Sequence, residues 1–274
     1  MSFASIFIRL AGAPPLVIAA YRMTIASAVL LPITSRKSIK ALKELPRADL
    51  LILLLSSALL AVHFWLWITS LSYTSIASSV ILVASHPVFV AIIAYFLWGE
   101  RLTKLMVLGV AVAFAGAVLI NYGGFALSKT ALLGDTLAVL AAIAMGAYLI
   151  IGRHVRARID FLSYVTIIYT CAAVFLPIAT VIAGRRLFTY SSQTYLMLVL
   201  IALVPQLIGH SSINFAVRLL PAIFVSVAIL GEPVGATLLG YFILSEAPTM
   251  NEVAGGILVL AGIFAVLRKN PKQN

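Results

Sequence analysis

The stretch from Ala77 to Ile120 reads ASSVILVASHPVFVAIIAYFLWGERLTKLMVLGVAVAFAGAVLI, two apolar runs hinged on Gly99-Glu100-Arg101. Displaced by 146 positions, its His86-Pro87-Val88 falls on Glu232-Pro233-Val234. The same register, without a gap, sets Tyr95-Phe96 on Tyr241-Phe242, Glu100 on Glu246, Thr103 on Thr249, Val107 on Val253, Gly109 on Gly255 and Ala115-Gly116 on Ala261-Gly262. Leu, Ile and Val identities arise by chance in an apolar chain. Pro, Glu, Gly and Tyr at fixed spacing over about 50 residues mark an internal repeat. Close to this register Leu31-Pro32-Ile33 meets Leu176-Pro177-Ile178, which carries the repeat back towards the start of the chain.

The repeat lies in a chain built for lipid. Of its 274 residues 63% are hydrophobic and 10% charged, with a mean hydropathy of +1.14. Ordinary soluble domains are about half apolar and a quarter charged, so a globular enzyme with a solvated surface is excluded. At roughly 20 residues per crossing, the apolar runs predict an all-α membrane protein of ten transmembrane helices. They are Met1 to Ala11, Leu16 to Ile33, Asp49 to Ser70, Ser75 to Trp98, Thr103 to Asn121, Leu133 to Gly152, Phe161 to Ala183, Thr194 to Val217, Ala222 to Leu244 and Glu252 to Leu267. The first run would rise only about 16 Å as a helix, so a truncated first helix is expected.

A net charge of +11 would suggest nucleic acid in a soluble chain, but here the basic residues report topology. With both termini cytoplasmic, Arg36, Lys37, Lys40, Lys43, Arg47, Arg101, Lys104, Arg153, Arg156, Arg158, Arg218, Arg268, Lys269 and Lys272 face inward, against Lys129, Arg185 and Arg186 outside. This is the positive-inside asymmetry, and no nucleic-acid partner is expected. A single cysteine, Cys171, leaves no internal disulfide and no CxxC metal or redox site. Neither a metal nor a cofactor is expected.

Five spans per copy is an odd number, so the second copy should thread the bilayer in the opposite sense. The expected organisation is a five-helix repeat over residues 1–121, an inverted one over 133–267 and a basic cytoplasmic tail over 268–274. Two such halves exchange inward-open and outward-open shapes at similar energy around a shared midplane site, the architecture of secondary transporters.

The Ala77 to Ile120 stretch resembles the fourth and fifth helices of an EamA-type transporter of the drug/metabolite transporter superfamily. Its partner, Phe224 to Val266 with LGEPVGATLLGYFILSE and GGILVLAG, resembles the ninth and tenth. Pro14-Pro15 and the Ala-Ala-Tyr-Arg of residues 19 to 22 extend the likeness over almost the whole chain. The resemblance implies a ten-helix bundle in a prokaryotic plasma membrane, as a monomer or homodimer, moving small organic metabolites, often amino acids and frequently outward. The family's first helix is complete, whereas here its first half is missing. The last helix is also similar to that of small multidrug-resistance proteins, but their membrane-embedded glutamate has no counterpart in the first or sixth span apart from Asp135 at a helix end.

An ionisable side chain at the bilayer centre costs at least ~2.5 kcal/mol on insertion scales and usually faces a cavity or a partner. Glu232 and His86 pair under the repeat, and His63 and His210 lie one position from the same register. These four are expected near the pseudo-twofold axis. Glu232 reads either as a cation or proton site with His86 beside it, making protons a candidate coupling partner, or as a packing element. Pro87 and Pro233 each free a carbonyl one turn back and are candidate hinges. Gln206, His210 and Asn214 share one helical face and should line water, ligand or another helix. Trp67, one turn beyond His63, reads equally as a platform for a flat substrate or as an interfacial belt residue. Arg22 could hold an anion, reach the headgroups, or pair with Glu232 or a carbonyl. Gly109 with Gly116, and Gly255 with Gly262, place small residues seven apart, suited to close helix packing.

A membrane-embedded enzyme, the competing class, would carry HExxH, GxSxG or clustered carboxylates with histidine; none is present, so no catalytic residue is assigned. Nor is there a GxxxxGK[ST] motif for ATP-driven transport.

Overall fold

The computed structural model describes residues 1–99, 103–125, 129–156, 158–212, 215 and 231–268. These are helical throughout, with no strand among them: α1 (Phe3–Ala11), α2 (Pro15–Glu44), α3 (Arg47–Ser70), α4 (Ile76–Val83), α5 (His86–Trp98), α6 (Lys104–Phe125), α7 (Lys129–Ile151), α8 (Arg153–Arg156), α9 (Phe161–Ile182), α10 (Ser192–Ile201) continued by a π-helical segment (Ala202–His210), α11 (Gly231–Leu244) and α12 (Met250–Leu267). Six helical stretches are long and apolar enough to cross a membrane: Pro15–Glu44, Arg47–Ser70, Ile76–Leu97, Lys129–Ile151, Phe161–Ile182 and Ser192–His210. Shorter apolar helices accompany them.

Local chemistry sets the helix starts. Ser75, Asp160 and Ser191 each accept a hydrogen bond from the backbone N–H three residues on, satisfying a donor that the first turn leaves orphaned. Thr249 and Glu252 form a reciprocal capping box at α12. Pro15 stands in the first turn of α2, where its missing N–H costs nothing.

Three sequence boundaries are corrected. The second span does not end at Ile33; α2 continues to Glu44. Beyond the apolar run the sequence Ser-Ile-Lys-Ala-Leu-Lys-Glu consists largely of good helix formers, with Lys40 and Glu44 paired one turn apart at 3.8 Å, so the basic residues from Arg36 to Lys43 ride on a helix rather than a loop. The fourth span is broken at Ala84 and Ser85 between α4 and α5, because Pro87 cannot donate to the preceding turn and begins the second piece. The eighth span changes at Ala202 from α to π winding around Pro205.

Two helix pairs organise the bundle, and both run antiparallel. In α6 and α12, a Cβ built on Gly109 would meet the carbonyl of Gly262 at 2.7 Å, and one on Gly116 that of Gly255 at 2.6 Å. The backbones touch, an approach only glycine permits. Ala113, Ile120, Val259 and Ile263 bury the flanks of this seam. Along α2 and α9, Leu16 O accepts from Thr180, Ser27 and Thr170 share a hydrogen bond of 2.8 Å, and so do Thr34 and Thr166. Elsewhere α3 lies along α7, α1 along α10, and α4 and α1 both pack on α11.

Candidate functional site

Arg22 stands about two turns into α2, and its side chain is fully buried. The guanidinium lies 4.1 Å from the centre of the Phe64 ring and 5.6 Å from that of Trp67, both on α3, a cation–π cradle away from water. Its Nε donates to Gln206 Oε1 at 2.6 Å. The arginine requires an acceptor there, which fixes the amide orientation and turns Nε2 of Gln206 away from it. Nη1 and Nη2 of Arg22, Nε1 of Trp67 and Nε2 of Gln206 are buried without a hydrogen-bond partner among the described residues. The hydroxyls of Tyr169 and Ser211 are buried beside them; Tyr169 is an electrostatic neighbour of Arg22 and lies in hydrogen-bonding range of Gln206 and Ser211.

The other polar residues of the spans are arranged around this group. His63 Nδ1 lies 2.9 Å from the carbonyl of Ala141 on α7. A carbonyl only accepts, so Nδ1 carries the proton and Nε2 is left as an acceptor. The His63 ring stacks on Trp67 with centroids 6.3 Å apart, and His210 meets Phe64 edge-on at 5.5 Å. Trp67 is 4% exposed; it is an interior residue, and the belt alternative is withdrawn. Full burial likewise excludes Arg22 from the headgroups. Glu232, in the first turn of α11, is an electrostatic neighbour of Arg22, although no ion pair joins them. Nδ1 of His86 lies 3.3 Å from Val83 O at the α4–α5 break. Pro87 occupies the opening turn of α5, where proline fits, and Pro233 lies on α11. Gly109, Gly116, Gly255 and Gly262 sit in the α6–α12 seam. Asn214 lies outside the described residues.

Sequence reasoning missed Phe64, Tyr169 and a second polar cluster. Asp135 of α7, 3% exposed, accepts from the hydroxyls of Thr74 and Ser78, both at 2.6 Å. Beside it Arg9 donates to Thr74 O at 2.7 Å and pairs with Glu246 at 3.5 Å. Glu246 also accepts from the amide of Ile76, and Ser75 donates to Glu252. The run Thr74-Ser75-Ile76-Ala77-Ser78 was the available signal, a dense set of hydroxyls at a helix start. At the opposite end of α3, Arg158 and Asp49 pair at 2.7 Å. Beside Arg9 lies a cavity of about 140 Å³, lined in part by Ile8, Arg9, Ile18, Ile68 and Leu71. Ile18 is one turn from Arg22 on α2, and Ile68 and Leu71 are one turn from Phe64 and Trp67 on α3.

An arginine, a glutamate and two histidines held among apolar helices mark a candidate functional site in a membrane protein. The EamA-like transporter family model matches residues 1–122 and 132–268; the chain belongs to the EamA-like transporter family, whose members are transporters rather than enzymes. An uncharacterized transporter of Archaeoglobus fulgidus is 25% identical over 73% of this chain and 70% of its own. One of Bacillus subtilis is 22% identical over 100% of this chain and 88% of its own. A probable terminal-alkyne amino-acid exporter of Streptantibioticus cattleyicolor is 28% identical over 69% of this chain and 63% of its own. Among solved structures, one crystal structure matches with a TM-score of 0.69 at 20% identity, covering 96% of this chain and 91% of that one.

Proposed function

We propose that this protein is a secondary transporter that moves a small organic metabolite, an amino acid or a similar compound, outward across a prokaryotic plasma membrane by alternating access. The observation that carries the proposal is the antiparallel α6–α12 seam. Gly109 and Gly255 are repeat mates, as are Gly116 and Gly262, and each glycine lies against the mate of its partner's counterpart. An inverted repeat requires that exchange. The α2–α9 pair, which carries the mates Pro32 and Pro177, supports the same reading. So does the correspondence between α3 along α7 and α10 along α1. In this reading the halves are two five-helix units, over 1–121 and 133–267, with cytoplasmic termini. They rock about a site bordered by His63, Trp67, His86, Gln206, His210, Asn214 and Glu232. The named exporter relative supports the substrate class and the direction.

Glu232 is assigned as the cation or proton site, since it is a carboxylate among apolar helices whose charge is felt directly at Arg22. The test is transport in proteoliposomes offered a metabolite library, with Glu232→Gln alongside. The expected result is flux above empty vesicles, with the variant altering rate or pH dependence at unchanged thermal stability. Absence of flux for every solute would remove the transporter reading, and a purely thermal defect in the variant would remove the coupling role.

A further inference from the structure

The arrangement around Arg22 is one-sided in its chemistry. A buried guanidinium in a low-dielectric interior is costly unless acceptors surround it. Among the described residues the acceptor hydrogen-bonded to it is Gln206 Oε1, and that oxygen serves Nε alone. The Nη pair and the indole N–H of Trp67 are buried donors without a partner among the described residues, and the amide N–H₂ of Gln206 is a further donor with the Tyr169 hydroxyl beside it. Phe64 covers a face of the guanidinium plane and leaves its edge, the two-pronged fork that matches a carboxylate.

We infer that Arg22, Trp67 and Gln206 form the recognition site for a single carboxylate group of an organic solute. The solute supplies two oxygens to the Nη fork and receives further hydrogen bonds from Trp67 Nε1 and Gln206 Nε2. The charge count favours a monoanion. Arg22 is the cation that faces it, with Glu232 in electrostatic range; stripping water from a doubly charged phosphate costs far more than from a carboxylate, and a single guanidinium offsets the smaller cost more readily. The Phe64 and Trp67 rings beside the fork suit an apolar body attached to the acid. This inference rests on the transporter reading for its purpose, but the binding chemistry is separable from transport.

The experiment measures thermal stabilisation of the purified full chain by matched acid and amide probes: butyrate and butyramide, L-leucine and L-leucinamide, benzoate and benzamide, with inorganic phosphate as a further arm. At least one acid should stabilise where its amide does not, and phosphate should do less than that acid. Arg22→Met should weaken the apparent affinity for that acid about ten-fold or more, and Arg22→Lys should restore only part of it, because a point charge lacks the fork. Gln206→Glu provides a second variant independent of the arginine: its own carboxylate occupies the guanidinium, so the chain stays folded while stabilisation by the acid is lost. Equal stabilisation by acids and amides, a stronger effect of phosphate, or acid binding that persists in Gln206→Glu would each overturn the assignment. The same probes are then followed for flux. Transport that is indifferent to the carboxylate sinks this inference and leaves the carrier standing, whereas acid-selective binding without flux does the reverse.

Discussion

Gly262→Ala is the sharpest test of the α6–α12 seam. An added Cβ would lie 2.5 Å from both the Ala113 amide nitrogen and the Gly109 carbonyl oxygen, and 2.8 Å from Ala113 Cβ. Ordinary contact between such atoms begins near ~3.5 Å, so the helices must part by about 1 Å. The two closest obstacles are backbone atoms, which cannot swing aside as a side chain could. Overpacking of a close-packed interior costs about 1–3 kcal/mol, and obstruction by backbone places this substitution towards the upper end. For a chain of this size that corresponds to a fall in Tm of roughly 4–10 °C. Cys171 is the single cysteine and is half-buried, so a thiol-reactive fluorogenic dye reports unfolding directly. Gly231→Ala is the control, since among the described residues nothing lies within 4 Å of a Cβ there. The double variant Gly109→Ala/Gly262→Ala should cost less than the sum of the singles, because the first already opens the seam. A Gly262→Ala protein as stable as the Gly231→Ala control would refute the close approach from which the antiparallel pairing was argued.

Two other substitutions address the ends of the bundle. Asp135→Leu strands the hydroxyls of Thr74 and Ser78 and should cost about 2–4 kcal/mol, while Asp135→Asn keeps an acceptor and should cost less than half as much; the same dye assay compares them. At Asp160 burial pushes the carboxyl up, but hydrogen bonds from Ser163 and Leu162 and the nearby charge of Lys37 together outweigh it, holding the group below its ordinary range. Its contribution is therefore present above that range and lost as pH falls through the lowered value. Thermal scans by tryptophan fluorescence from pH 6 to about pH 3 should show wild type converging on Asp160→Asn, and a constant gap would contradict the cap.

The repeat and the helix starts could be read because they rest on local pattern: Pro87 against Pro233, Gly109 against Gly255, and capping residues three before their amides. The end of α2 could not be read from hydropathy, since past Ile33 the helix continues on propensity rather than on apolar character. The site was half legible. Arg22, Trp67, Gln206 and Glu232 stand out because polar groups in apolar runs are few. Which of them meet was hidden, because Arg22 and Gln206 are 184 residues apart and a helix in lipid is apolar on every face, so periodicity does not disclose the inward side. Phe64 carried no signal for the same reason. His86 was drawn towards Glu232 by the repeat alone, while in space its nearest acceptor is its own preceding turn.

The glycine seam has one more consequence, for ancestry. Gly109 faces Gly262 as Gly116 faces Gly255, so residue i meets j and the duplicate of j meets the duplicate of i. That is the signature of an isologous contact, the kind two identical chains make across a twofold. A single five-helix chain that dimerised antiparallel about such a twofold would already have owned this surface, and fusion of two copies would then have needed only a connector. Once fused, the two glycines of each copy have remained answerable to one another: a methyl gained in either half is met by the backbone of the other.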